Sequence, residues 1–359
     1  MNTRIARLQQ QMKTTGTTLL ALAPGAHMRW ALGFTPHPDE RLCVLLIGVD
    51  KATFVMPALN ATDARQHTDI PFHEWGDADG PAQALAAALA AVGTDPRKLS
   101  LDETMRADHA LMLLDALPKA ERGLAGEEVG ALRQIKDADE IIALRDNALI
   151  ADKAQAAVRA ALRPGVTEAE MVQVARDAFA AEGARCEFGI VGFGENSAYP
   201  HHHSGSRKLK AGDVVLVDIG GRKGDHMSDI TRMAVFGTPP EGYEDVHAVV
   251  DAAVVAALRA ARPGVPAHLV DDAARGVITD AGYGDYFTHR TGHGIGTEVH
   301  EPPYMTATNR QLLEEGMTFT IEPGIYLPGR FGIRLEEVAV VTAEGAEILS
   351  GLSRALHRA

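Results

Sequence analysis

The chain has 359 residues, of which 46% are apolar, and this is enough to build the cores of two domains. Its 48 acids exceed its 35 bases, giving a net charge of −13 without any run of lysines and arginines, which argues against nucleic acid or membrane partners. Only two cysteines and no convincing signal or membrane-spanning segment are present, so we expect a soluble, unprocessed, cytoplasmic protein without a disulfide framework.

Residues 1–125 alternate short helical and strand-like runs and contain no motif that indicates chemistry. Helices are predicted at 4–13, 82–92 and 107–117, and strands at 19–23, 42–47 and 53–56. A loop is predicted around His27, Trp30, Phe34 and His37. The glycine-rich, charged residues 119–130 are typical of a linker. We therefore expect a small α/β domain at 1–125 and a second domain at 126–359.

The second domain contains an internal repeat. Residues 148–166 and 247–265 are identical at eight of nineteen positions, and both end in Arg-Pro-Gly-Val. Each repeat is followed by a helix, a segment containing histidine and a hairpin; the first of these helices starts with a capping box at Thr167 and Glu170. His201 and His300 lie 38 residues beyond the arginine of their repeat. The pattern predicts two similar halves that face each other across a shared site.

The first hairpin spans residues 214–236 and consists of two apolar strands joined by residues 221–224. If the turn is centred between Lys223 and Gly224, Asp218 lies opposite Asp229. Two like charges at cross-strand distance destabilise a sheet. The hairpin therefore indicates a bound cation.

The second hairpin, centred on Gly329, places Glu322 opposite Glu336 by the same reasoning. Four carboxylates and one imidazole are a ligand set that divalent metals prefer. His293 lies between Gly292 and Gly294, which let the backbone pass close to a bound group, so it is the best candidate for the imidazole. Nearby His289 and His300 are candidates for supporting or substrate-binding roles.

These residues lie in motifs that resemble those of the pita-bread metallopeptidases, in the branch of Xaa-Pro dipeptidase (prolidase) and aminopeptidase P. The motifs are SDITR around Asp229, HRTGHGIG around His293, TIEPGIY around Glu322 and GIRLEE around Glu336. Before residue 130 the resemblance is weaker, and GAHMRWALGF is similar to part of the family's creatinase-like N-terminal domain. The resemblance implies an α/β (α+β) fold: a pita-bread catalytic domain of two pseudo-symmetric halves, preceded by a smaller creatinase-like α/β domain.

The resemblance also implies two divalent metal ions per subunit, Mn²⁺ or Co²⁺ with Zn²⁺ as a further possibility. The implied ligands are Asp218, Asp229, His293, Glu322 and Glu336, with Asp229 and Glu336 bridging the two ions. The ions would share the water that attacks the peptide carbonyl, and Glu322 would carry a proton to the leaving nitrogen. His201 and His300 match family histidines that contact substrate and developing charge, and Arg334 matches an arginine near the metals.

The predicted substrate is a small peptide with proline in second position. Since proline lacks an N–H and has a fixed φ, its recognition needs a shaped pocket. Phe188, His201 and Tyr326 are the predicted walls, and a core role for Phe188 is equally compatible with the sequence. The chain's compactness favours a dipeptidase over an aminopeptidase P that acts on longer peptides.

Two further readings stay open: a creatinase-like hydrolase without metal, and a non-catalytic pita-bread binding protein. Retention of all five ligands argues against both. A homodimer is the family expectation. The sequence leaves open the physiological metal, the residue preferred before proline, and the roles of His202, His203 and His226.

Overall fold

A computed structural model describes residues 3–93 and 96–359 of the chain. It consists of two compact units, Met1–Arg133 and Gln134–Ala359. Both units combine helices with sheets, so the predicted α/β class is confirmed. Within the described ranges, every helix is too short or too polar to cross a lipid bilayer.

The N-terminal unit is built around one six-stranded mixed sheet with the strand order β4-β3-β2-β1-β5-β6. Its inner strands are continuous apolar runs covered on both faces, as expected when helices pack on both sides of a sheet. The helices are α1 (Thr3–Thr15), α2 (Ala26–Leu32), α3 (Ala58–Ala64), α4 (Ala82–Val92), α5 (Ala107–Ala116) and α6 (Val129–Arg133). The strands are β1 (Leu19–Leu22), β2 (Val44–Gly48), β3 (Ala52–Pro57), β4 (Phe72–Trp75), β5 (Lys98–Leu101) and β6 (Glu121–Leu124).

Two predictions for this unit are wrong. The predicted loop around His27 and Trp30 contains α2, a short helix that ends at Gly33 in the left-handed conformation and buries Trp30. The predicted linker at 119–130 contains β6, which pairs with β5. As an edge strand β6 is largely exposed, so its glycine and charged residues resemble those of a linker.

The C-terminal unit contains two larger sheets and a two-stranded ribbon, with strand orders β18-β10-β8-β7 (β9 pairing with β8), β12-β11-β13-β16-β17 and β14-β15. Its helices are α7 (Ala138–Ala161), α8 (Glu168–Ala181), α9 (Tyr243–Ala260) and α10 (His268–Asp280). The first strands are β7 (Arg185–Phe193), β8 (Val214–Lys223), β9 (His226–Met227), β10 (Ile230–Val235), β11 (Gly292–Gly294) and β12 (Glu301–Met305). The remaining strands are β13 (Thr318–Ile321), β14 (Gly324–Leu327), β15 (Phe331–Arg334), β16 (Glu337–Thr342), β17 (Gly345–Ile348) and β18 (His357–Arg358).

The sequence repeat corresponds to two structurally similar halves, as predicted. Helices α7 and α8 pack on β7, β8 and β10, while α9 and α10 pack on the second set of strands. After α7, Gly165 N donates to Leu209 O at 2.9 Å, and after α9, Gly264 N donates to Leu313 O at 2.8 Å. In each half the backbone oxygen of the valine that follows this glycine accepts a hydrogen bond from the backbone N–H of the same leucine. The predicted capping box of Thr167 and Glu170 starts α8.

The first hairpin has a register that differs from the prediction. Asp218 pairs with Thr231 rather than Asp229, because the turn lies one residue later, where Gly224 takes a positive φ of 66°. A turn displaced by one residue shifts the pairing by two, which leaves every side chain on its predicted face. Asp229 is therefore a diagonal neighbour of Asp218 on one face.

The second hairpin has the predicted register. Ile321 pairs with Glu337 on one side and Gly324 with Arg334 on the other, so Glu322 lies opposite Glu336. These two positions fall in the gap between two ladders. There the backbone N–H groups of Glu322 and Glu336 donate to Thr291 O and Thr231 O instead of to each other. Both carboxylates line the same cavity as Asp218 and Asp229 of the first half.

Candidate metal centre and active site

All five predicted metal ligands line one cavity of about 870 Å³ in the C-terminal unit. A cavity of this size suits a small ligand. Asp218 comes from β8, and Asp229 directly precedes β10. His293 lies in β11, while Glu322 follows β13 and Glu336 precedes β16. Each half of the unit thus contributes carboxylates to one centre.

The imidazole of His293 presents a lone pair to the carboxylates. Its Nδ1 lies 3.0 Å from Gly294 O, a group that can only accept, so Nδ1 carries the hydrogen. Burial and the neighbouring His300 lower the pKa of His293 to about 3, so the ring is neutral. Its Nε2 then faces Glu322 Oε1 at 3.3 Å and Asp229 Oδ2 at 3.6 Å. A cation bound between acceptor atoms this close to one another would relieve their repulsion.

The carboxylates are buried together and repel one another. Burial, with the charges of Glu336 and Asp218, raises the pKa of Asp229 well above its ordinary value. Burial, followed by the charge of Glu322, does the same to the pKa of Glu336, and burial raises the pKa of Glu322 to about 7. Among the described residues, Asp218 Oδ1 and Glu336 Oε1 have no hydrogen-bond partner although both atoms are buried. Such groups are costly unless a ligand compensates them.

The donor set therefore fits divalent metal. Ligand atoms of Asp229, His293 and Glu336 all lie within 4.8 Å of one another, and Asp218 and Glu322 adjoin this cluster in the same cavity. One neutral imidazole among several carboxylate oxygens suits borderline divalent ions better than soft ones. Such ions would be bound by the two oxygens without a hydrogen-bond partner, Asp218 Oδ1 and Glu336 Oε1, and by the unprotonated Nε2 of His293.

A chain of hydrogen bonds supports this cluster from behind. Arg334 is buried and donates to Asp218 Oδ2, to Tyr326 Oη at 2.9 Å and to Thr231 Oγ1 at 3.1 Å. Tyr326 Oη in turn donates to His289 Nε2 at 2.8 Å, since His289 Nδ1 donates to Arg290 O. Burial raises the pKa of Tyr326 to about 12, so the phenol stays protonated. Arg334 is thus held in one orientation against a candidate ligand.

Sequence reasoning missed two threonines of the site. Thr231 Oγ1 donates to Glu336 Oε2 at 2.8 Å, which links a residue of the first half to a ligand of the second. Thr320 Oγ1 accepts from His293 N at 3.1 Å and donates to Glu322 Oε1 at 3.2 Å. Each lies two residues from a candidate ligand, and alternate residues of a strand share a face. The spacing of two residues from a candidate ligand is the sequence signal that could have identified both threonines.

The predicted substrate-binding residues divide into two groups. Phe188, His201, His289, His300 and Arg334 line the cavity together with the candidate ligands. Tyr326 is only 5% exposed and lies behind this surface, where its hydroxyl is used by Arg334 and His289. Phe188 is half-buried and also fills the space that a Cβ at Gly220 would need, so it combines a packing role with its place in the cavity wall.

Three histidines whose roles the sequence left open differ in their surroundings. His202 contacts the buried Glu168, His203 is exposed, and His226 Nε2 lies 3.9 Å from Glu140 Oε1. The ring of His202 is partly buried and faces this acid, whereas His203 next to it is solvated. Glu337, which follows the candidate ligand Glu336, is bonded to Arg232 and Arg354.

Comparison with known proteins agrees with this geometry. Residues 143–343 match metallopeptidase family M24, and residues 4–135 match the creatinase/prolidase N-terminal domain. A protein of Mycobacterium tuberculosis named "Probable dipeptidase PepE" is 39% identical over 350 residues, covering 96% of this chain and 92% of its own. The chain is also similar to solved structures. The prolidase from Thermococcus sibiricus has 35% identity and a TM-score of 0.94, covering 99% of this chain and 98% of its own. The X-Pro aminopeptidase from Thermotoga maritima has 30% identity and a TM-score of 0.84, covering 98% and 100%.

The fold and the site define a metal-dependent peptidase with a pita-bread catalytic domain. The chain belongs to metallopeptidase family M24. The predicted family, fold and enzyme class are thereby confirmed.

Proposed function

We propose that this protein hydrolyses Xaa-Pro peptide bonds with two divalent metal ions, and that its main substrates are dipeptides. The observation that carries the proposal is the cluster of four carboxylates around one neutral imidazole, with unpartnered acceptor atoms in a cavity of small-ligand size. Asp229 and Glu336 would bridge the ions, Asp218 would complete the shell of one, and His293 with Glu322 that of the other. Mn²⁺ or Co²⁺ fit these ligands best, and Zn²⁺ is compatible with them.

When bound, such ions polarise a carbonyl and lower the pKa of water, which makes a nucleophile available at neutral pH. The side chains supply the remaining steps. Glu322, which lines the cavity 3.3 Å from His293 Nε2, is placed to take up a proton and pass it to the leaving nitrogen. His201 and His300 line the cavity and can donate to the carbonyl oxygen as charge develops there. Arg334 holds Asp218 in place.

Specificity for proline is supported by the cavity wall and by the relatives. Phe188 and His289 offer ring surfaces against which a pyrrolidine ring can pack, and no hydrogen-bond donor is needed from the substrate's tertiary amide. Solved structures similar to this chain are titled a prolidase and an X-Pro aminopeptidase. A dipeptidase is the preferred form because the relative named dipeptidase is 39% identical to this chain, whereas the X-Pro aminopeptidase is 30% identical. A cytoplasmic homodimer completes the proposal.

The test is the initial rate of hydrolysis of Ala-Pro, Ala-Pro-Ala-Ala and Ala-Ala, each with Mn²⁺ and again after chelation. We expect metal-dependent cleavage of Ala-Pro, slower cleavage of the tetrapeptide and little cleavage of Ala-Ala. Preference for the tetrapeptide would replace the dipeptidase by an aminopeptidase P. Equal cleavage of Ala-Ala would refute proline specificity, and cleavage that survives chelation would refute the metal mechanism.

A further inference from the structure

The segment that carries His201 to the cavity is a loop without regular strand or helix after residue 198. Tyr199, Pro200 and His201 all line the cavity from this loop. Two serines attach its ends: Ser197 Oγ accepts from Gly332 N at 2.8 Å, and Ser204 Oγ accepts from Val191 N at 2.7 Å. The residues between them form successive turns, in which Tyr199 N donates to Asn196 O and His202 N to Tyr199 O. The position of His201 therefore depends on the contacts that hold the loop between these two serines.

Glu168, the first residue of α8, holds that middle from inside the protein. It is fully buried, and its two oxygens accept four hydrogen bonds. Oε1 accepts from Phe193 N at 2.9 Å and Asn196 Nδ2 at 2.8 Å, and Oε2 accepts from Gly205 N at 3.1 Å and His202 Nε2 at 2.8 Å. A carboxylate has about four acceptor sites, so every site is used. His202 is the donor that lies next to His201.

The other half of the unit contains a parallel arrangement. Asp271, in the first turn of α10, is also fully buried, and its Oδ1 accepts from Thr291 N at 3.0 Å and Thr291 Oγ1 at 2.8 Å. Thr291 lies two residues before His293. In both halves a buried acid near the start of the second helix thus anchors the segment that brings histidine to the site. The second half uses a threonine as donor, and the first half uses His202.

We propose that Glu168 and His202 are positioning residues that fix the loop of His201, so that His201 faces the substrate. The imidazole of His202 donates Nε2–H to Glu168. Because His202 directly follows His201 in the chain, this hydrogen bond also restricts the orientation of His201. This inference rests on the proposed peptidase function, since it assigns His201 a substrate contact.

The first test needs no activity. Hydrogen–deuterium exchange over residues 193–205 is compared in the wild type, His202→Ala, His202→Gln and His203→Ala. Because His203 is exposed and adjacent, His203→Ala is the matched control. We expect faster exchange in His202→Ala, and near wild-type exchange in His203→Ala and in His202→Gln, whose amide can reach Glu168. Equal exchange in His202→Ala and His203→Ala would overturn the proposal.

The second test measures kcat and KM for Ala-Pro with Mn²⁺. Misplacing a catalytic group by about 1 Å costs up to about 100-fold, so we expect His202→Ala to lower kcat by about 10-fold with little change in KM. The double variant His201→Ala/His202→Ala should be no slower than His201→Ala alone. Multiplicative losses in the double variant would show that His202 acts on the fold rather than through His201. An inactive wild type would defeat the proposed function and the role of His201 in it, while exchange would still decide whether His202 holds the loop.

Discussion

The two halves of the catalytic unit share one frame but supply different parts of the site. Both place a pair of helices on a set of strands, and both close the Arg-Pro-Gly-Val turn with the same backbone hydrogen bonds. The first half adds Asp218 and Asp229, which are diagonal neighbours in a hairpin, and the exposed His201 on a loop. The second half adds two glutamates from a gap between ladders, and a buried histidine on a strand.

This difference shows which features belong to the frame and which to the chemistry. The paired helices, the turns and a buried acid near the start of the second helix repeat, whereas the candidate metal ligands do not. Thr231 and Arg232 of the first half contact Glu336 and Glu337 of the second, so the centre exists only where the halves meet. The following changes separate contributions to the centre from contributions to each half.

The largest effect is expected for Asp229→Asn, which removes a carboxylate shared by the proposed metal pair. The amide is a weaker metal ligand than the carboxylate, so metal affinity and catalysis should fall together. We expect kcat/KM for Ala-Pro to drop by about 1,000-fold, which corresponds to about 4 kcal/mol. The measurement is the kinetics with the metal content of the dialysed protein. Asp245→Asn, at an exposed position of α9, should leave both unchanged, and a metal-replete, active Asp229→Asn would contradict the bridging role.

A smaller effect, a loss in the free energy of unfolding, is expected for Arg232→Met, which removes a buried ion pair between the halves. Arg232 is 1% exposed and bonds to Glu337 at 3.0 Å and Leu352 O at 2.6 Å. Removing one partner of a buried ion pair costs about 3–5 kcal/mol, and we expect the lower end because Arg354 still contacts Glu337. Urea unfolding of the metal-free protein measures this free energy. Arg358→Met, which removes an exposed pair with Glu244, should cost less than about 1 kcal/mol; equal losses would refute the link.

The equivalent acids Asp152 and Asp251 provide a direct comparison of the halves. Asp152 accepts from Ser350 Oγ at 2.6 Å, Gly351 N at 2.7 Å and Leu352 N at 3.1 Å, whereas Asp251 accepts from Arg354 and is 40% exposed. Since bonds to a charged group contribute about 1.5–3 kcal/mol, Asp152→Ala should cost about 2 kcal/mol in the free energy of unfolding. Asp251→Ala should cost less than about 1 kcal/mol. A reversed order in urea unfolding would mean that the C-terminal segment is held elsewhere.

The smallest effect is a gain in stability. Helix α10 contains Gly276 in its interior, while α8 contains no glycine. A Cβ at Gly276 would meet no atom within 4 Å, so Gly276→Ala should stabilise the protein by about 0.5–1 kcal/mol. Gly292→Ala is the opposite case, because its Cβ would lie 1.8 Å from Thr320 O. Thermal unfolding of both variants checks the signs, and a destabilised Gly276→Ala would show that α10 is strained at this point.

The features that the sequence predicted are those fixed by local rules. The capping box of Thr167 and Glu170 is sufficient to predict where α8 begins. The register around Gly329 follows from a turn that needs a positive φ, which is 72° in the structure. The prediction for Asp218 and Asp229 missed the register and kept the face, since faces alternate with period two.

The features that the sequence did not predict depend on tertiary contacts. Nothing in the residues around Tyr326 shows that its hydroxyl is already bonded to Arg334 and His289. The burial of Glu168, which gives His202 its partner, depends on the packing of α8 on β7. Helix α2 has only seven residues, too few for a periodic pattern to distinguish it from a loop.

The most direct test of a centre shared by both halves is the number of Mn²⁺ ions that each chain binds, measured by calorimetric titration of chelated and dialysed protein, with Ala-Pro hydrolysis followed in the same samples. The predicted result is two ions per chain, with activity that disappears on chelation and returns as the sites fill. Binding of fewer than two Mn²⁺ ions per chain at saturation, or hydrolysis that is the same before and after chelation, would contradict the proposed dinuclear centre.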